Sequence, residues 1–147
     1  MSEFIKFETL KKEPDRIYEL IRENNVGTLI KLLDRLGKLS SDFDKKPLIE
    51  LLTHQNERVR SLTVKNLAKL ENIALLEKFV HLIENEQSSI VRREAVSAIG
   101  RMRNPINKSL LMKYLNDPDP EVVLQAMRGL LVFKEDKEMT YSQNKSS

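Results

Sequence analysis

Apolar residues recur along this chain at spacings of three and four, in short bursts separated by polar turns. That rhythm predicts amphipathic helices. Ile17, Leu20 and Ile21 form one stripe, and Leu29, Leu32, Leu33 and Leu36 a second. Leu48, Leu51 and Leu52 follow, then Leu75, Leu76, Phe79, Leu82 and Ile83, then Leu110, Leu111, Tyr114 and Leu115. Three further stretches share one register: NERVRSLTVKNLAKL (Asn56 to Leu70), SSIVRREAVSAIGRM (Ser88 to Met102) and DPEVVLQAMRGLLVF (Asp119 to Phe133). Val59 aligns with Val91 and Val122, Thr63 with Ala95 and Ala126, and Leu67 with Ile99 and Leu130, at offsets of 32 and then 31 residues. A helical period of this length predicts stacked hairpins, because one hairpin cannot bury its own apolar face.

The punctuation between stripes divides the chain. Residues 1–13 are expected to be an N-terminal cap segment, with Phe4, Phe7 and Leu10 on one short amphipathic turn. Repeats are expected at about 14–39, 45–71, 72–103 and 104–133, followed by a polar, disordered tail over 134–147. Asn24-Asn25 breaks the first helix, and Ser40 to Asp44 is a turn-rich connector. Asn56, Asn72 and Asn104-Pro105 read as helix starts. Asp119-Pro120-Glu121 combines a cap, a first-position proline and a first-turn acid. First-helix positions Leu48, Phe79 and Leu111 step by 31 and then 32, the reverse of the second helices. One extra residue is therefore expected in the turn over Glu84 to Ser89. Leu130 to Phe133 ends the last repeat without a polar capping repeat, so the tail folds back, the end self-associates, or the chain is part of a longer protein.

These residues resemble HEAT-type repeats, in particular the short bacterial form called PBS-lyase-like. The resemblance rests on Val59-Arg60, Val91-Arg92, Ala98-Ile99-Gly100 and the turn from Leu115 to Val123. The fourth repeat has Val122-Val123 in place of Val-Arg. The resemblance implies an all-α, right-handed, armadillo-like solenoid of about four helical hairpins, with second helices lining a concave face. It also implies scaffold, DNA-glycosylase or bilin-lyase relatives.

Composition narrows the chemistry. The 147 residues are 40% apolar and 32% charged, with no Cys and no Trp. No apolar run reaches the roughly 20 residues of a membrane span, and a cytoplasmic setting is expected. Without Cys there is neither a disulfide nor a thiolate metal site. His54 and His81 are too isolated for a metal pair. No nucleophile elbow or glycine-rich phosphate loop is present. Catalytic residues, cofactors and metals are therefore expected to be absent.

Charge suggests the remaining site. Stepping about 100° per residue from the Val59–Thr63–Leu67 stripe turns position 61, Lys65 and Lys69 outward. Their counterparts are Arg93, Arg101 and Arg128, and Lys38 matches Lys69. Asp34 is an acid in the same row. Lys38, Lys65, Lys69, Arg93, Arg101 and Arg128 are thus expected on one surface, with Arg60 and Arg92 set apart in a structural role. The primary expectation is a non-catalytic scaffold binding a partner protein. The alternative is binding of a DNA backbone within a DNA-processing or DNA-modification complex; a bilin-lyase-like subunit rests on the resemblance alone. No aromatic residues interleave with the bases, which disfavours stacking of single strands.

Overall fold

The computed structural model describes residues 6–145, with side chains described as far as residue 133. Among these residues all regular structure is helical. Eight α-helices form four successive pairs: α1 (Pro14–Glu23) with α2 (Val26–Arg35), α3 (Lys46–Leu51) with α4 (Glu57–Ala68), α5 (Leu76–Asn85) with α6 (Ser89–Arg101), and α7 (Asn107–Tyr114) with α8 (Pro120–Lys145). The pairs group into two compact units, meeting in sequence at Leu70 and Glu71.

In the N-terminal unit the second helices stack, α2 on α4, and α1 packs on α3. The leucine stripe of α2 is fully used: Leu29, Leu32, Leu33 and Leu36 are all buried, as are Ile17, Leu48, Leu51, Val59 and Leu67. Asn24 ends α1 in a left-handed conformation, and the Asn25 side chain caps α2 by accepting from the Thr28 amide at 3.0 Å. A short 3-10 helix, Phe7–Lys12, lies against α1 and α2. Its three-residue turn puts Phe7 directly above Leu10, and both are buried. Phe4 lies outside the described residues. In the connector after α2, Phe43 is buried, an anchor that the turn-rich composition concealed.

Hydrogen bonds then fix how the two hairpins meet. Asn66, buried on α4, donates through Nδ2 to the Leu33 carbonyl at 2.8 Å, near the end of α2 where helix carbonyls lack internal partners. His54 Nδ1 accepts from the Asn56 amide at 3.0 Å. That nitrogen is therefore unprotonated, and Nε2 donates to Asn24 Oδ1 at 2.6 Å, joining the end of the first helix to the second hairpin.

In the C-terminal unit α6 packs on α5, α7 and α8. Its central constraint is Arg92. Nη1 donates to the Glu86 and Gln87 carbonyls at 3.0 and 2.9 Å, closing the turn before α6. Nε and Nη2 grip Asp117 at 3.0 and 3.3 Å, in the turn before α8. The pair is largely buried, at 13% and 9% side-chain exposure. Arg60 repeats the first half of this arrangement, donating to the His54 and Gln55 carbonyls at 2.7 and 2.9 Å. The arginine of each Val-Arg pair is thus a turn clamp. Next to Asp117, Asp119 caps α8 by accepting from the Glu121 amide. The Ser89 hydroxyl, then the Glu121 amide, hold its carboxyl below the usual range, with Arg93 adding to the effect.

The backbones of α6 and α8 approach closely at Gly100 and Gly129. A Cβ on Gly129 would come within 2.9 Å of Leu111 Cδ1 and 3.1 Å of the Gly100 Cα. Thr63, Ala95 and Ala126, which share one register of the repeat, are also buried.

Local details depart from the sequence pattern at several points. The extra residue does not lengthen the turn before α6, which is only 86–88, against 52–56 and 115–119 elsewhere. It lengthens α5, where the Glu86 amide still donates to the Leu82 carbonyl and no Gly or Pro interrupts. Asn72 caps a 3-10 turn, Ile73–Leu75, that leads into α5, and α7 begins at Asn107 because Asn104 caps a turn through the Ile106 amide. Gly37 lies past the end of α2 with φ 70°, a left-handed terminator. The last helix, α8, runs from Pro120 to Lys145; after Gly129 the chain contains no Gly or Pro to stop it.

Three substitutions test this packing. Gly129→Ala should destabilise the protein by about 1–3 kcal/mol in chemical denaturation, since backbone and a packed leucine must both move. Gly27→Ala, whose new Cβ meets only Asn25 Oδ1 at 3.4 Å, should be neutral or stabilising by up to about 1 kcal/mol. Arg92→Lys, which keeps the charge but cannot span both turns, should lose roughly 2–4 kcal/mol.

Candidate binding surface

Sequence reasoning put six bases on one surface, and the structure gives them different local roles. Lys69 is engaged: Nζ donates to the Gly37 carbonyl at 2.7 Å and to Asn66 Oδ1 at 2.9 Å. Lys11 donates to the neighbouring Lys38 carbonyl at 3.0 Å. Two lysines thus complete the carbonyl-rich end of α2, where positive charge is favoured. Burial pushes the Lys69 ammonium pKa down, and the charges of Lys65 and Lys11 add to the shift. Lys11 had no place in the sequence-based surface, because only the 3-10 helix brings it there. Lys38 and Lys65 are exposed.

Register position 61/93 does not turn outward as the helical projection expected. Ser61 is buried and Arg93 half-buried, with Nε enclosed and Asp119 beside it. The reason is packing: in the C-terminal unit this side of α6 meets the turn that starts α8.

Arg101 and Arg128 are brought together. Both line an open pocket of about 390 Å³ in the C-terminal unit, with Arg103, Glu71, Ser97 and Gln125 on its walls. Gly100, Gly129 and Val132 complete the lining. Glu71 and Arg103 both have left-handed backbones, φ 46° and 51°, just beyond the ends of α4 and α6. The pocket therefore forms where α6 stops while α8 continues. Arg101 and Arg128 are exposed, and no hydrogen bond or ion pair engages either among the described residues. On the first helices, by contrast, Lys113 pairs with Glu84 at 3.3 Å. A smaller pocket of about 300 Å³ in the N-terminal unit is lined by Lys11, Lys12, Asp42 and Asp44, whose charges balance.

A profile of HEAT repeats matches residues 45–131, more than half of the chain. The chain belongs to the HEAT-repeat family. The match takes in the helices from α3 to α8 and leaves out the first hairpin, which was also the most diverged copy by sequence. No curated protein matches the chain closely enough to stand as a relative. Among the described residues of this HEAT-repeat protein no three His, Asp or Glu side chains gather as a metal site, and no helix is long and apolar enough to cross a membrane. His54 is held by Asn24 and Asn56, and His81 is an exposed side chain bonded to Asn85.

The distinction between engaged and free bases is measurable. Arg101→Ala and Arg128→Ala should each change stability by no more than about 0.5 kcal/mol. Lys69→Ala, which strips donors from the Gly37 carbonyl and Asn66, should cost about 1 kcal/mol in the same denaturation assay.

Proposed function

We propose that this HEAT-repeat protein is a non-catalytic scaffold or adaptor that binds a partner protein on surface built by second helices, above all by α6 and α8. One observation carries the reading: Arg101 and Arg128 line an open pocket, and among the described residues neither has an internal partner. Unpaired arginines beside apolar surface fit the composition of protein interfaces. A cytoplasmic setting belongs to the same reading and suits a chain without cysteine. The DNA-backbone alternative draws on Lys38, Lys65, Lys69, Arg93, Arg101 and Arg128. It is weakened because Lys69 bonds within the chain and Arg93 lies beside Asp119. The finer likeness to PBS-lyase-like repeats, and a lyase role with it, rests on Val-Arg pairs whose arginines clamp turns.

Photo-cross-linking in cells tests the surface. A cross-linking residue at position 101 or 125 should capture a partner protein, and one at the first-helix positions 78 or 112 should not. Capture confined to positions 78 and 112, or absent from all four, would remove the reading.

A further inference from the structure

We propose that the arginine-lined pocket and the apolar stripe beside it on α8 together dock an acidic amphipathic helix of a partner protein. This rests on the scaffold reading above and supplies the chemistry of the partner.

Two adjoining stripes of α8 carry the inference. Gln125, Arg128 and Val132 line the pocket. Leu124, Met127 and Leu131 each precede one of them by a single residue, and they are 36%, 49% and 55% exposed. The spacings of three and four within each set make each a continuous stripe, and the one-residue offset sets the stripes about 100° apart. A ligand lying along α8 therefore meets apolar side chains on one side and guanidinium groups on the other. Large apolar groups repeating at helical spacing on an exposed helix face are complementary to a second amphipathic helix, anchored through its own i, i+3 and i+7 positions.

The charge of the occupant follows from the pocket. Arg101 and Arg128 have no partner among the described residues, Arg103 lies on the same wall, and Glu71 is the one acidic residue of the lining. Guanidinium forks match carboxylates two bonds at a time. A volume of about 390 Å³ accepts one or two Asp or Glu side chains. A nucleic-acid backbone fits less well: it needs bases set out along a track, whereas these arginines converge on one spot beside a carboxylate. Phosphates would also leave Leu124, Met127 and Leu131 uncovered. The chain carries a net charge of +3, so a second copy is the less complementary occupant.

The test is fluorescence anisotropy with the full chain and a labelled helical peptide of about 15 residues. The peptide carries Leu at i, i+3 and i+7, flanked by Glu. Binding is expected in the micromolar range, weakening by about tenfold or more with Arg101→Glu, Arg128→Glu or Leu131→Asp, and by a similar factor when the peptide's Glu residues become Gln. Circular dichroism confirms that each variant keeps its helices. Equal binding by wild type and variants overturns the proposal, as does no binding up to about 1 mM peptide. Two other results also overturn it: tighter, steeply salt-dependent binding of a short duplex DNA that Arg128→Glu abolishes, or a concentration-dependent mass in light scattering that Leu131→Asp abolishes. If the peptide fails while cross-links still form at positions 101 and 125, the scaffold reading stands and only this partner chemistry falls.

Discussion

The C-terminal unit depends on one guanidinium. Arg92 closes the turn that precedes its own helix and holds the turn that precedes α8. A helical hairpin buried on its neighbour could slide along it, because apolar contacts are non-directional. A largely buried, bidentate arginine–carboxylate pair cannot slide, since a displaced Asp117 would leave the charge of Arg92 enclosed without its partner. The clamp therefore sets the register of α8 against α6, and that register brings Gly129 over Gly100 and Arg128 beside Arg101.

Seen this way, the pocket is a by-product of packing. Glycine at both crossing points lets two helices approach with no side chain between them. Arg103, in a left-handed conformation, takes the chain away beyond the end of α6, while α8 runs on. What remains beside the crossing is an open space lined by α6, α8 and the turn residues Glu71 and Arg103. The same logic acts in the N-terminal unit with a different result. There Gly37 makes the left-handed exit from α2, and Lys11 and Lys69 bond to the carbonyls it exposes.

The sequence made the helices legible because burial acts through periodicity. The stripes of α2, α4 and α6, the break at Asn24-Asn25, the asparagine cap at 56 and the proline start of α8 could all be read from spacing and residue type. The Val-Arg arginines could also be assigned a structural role, since they lie off the apolar stripe. What could not be read depended on contacts between elements. Position 61/93 projects outward on an isolated helix, but inward once a neighbouring turn arrives. Lys69 and Lys65 look alike in sequence; only the exposed carbonyl of Gly37 distinguishes them. Gly129 carried a signal, as a glycine in the middle of a strong helix pattern, where glycine is unfavourable unless packing requires it.

The glycine crossing bears on how such a site can change over generations. A pocket floored by large core side chains cannot alter its specificity without disturbing the packing beneath it. Here the floor includes main chain at Gly100 and Gly129, while Arg101, Gln125 and Arg128 stand on the rim. Substitutions at the rim exchange charge, length or polarity with little effect on the helices below. The residues that set the packing and those that set the chemistry of the pocket are thus different, and the surface is free to vary while the architecture stays fixed.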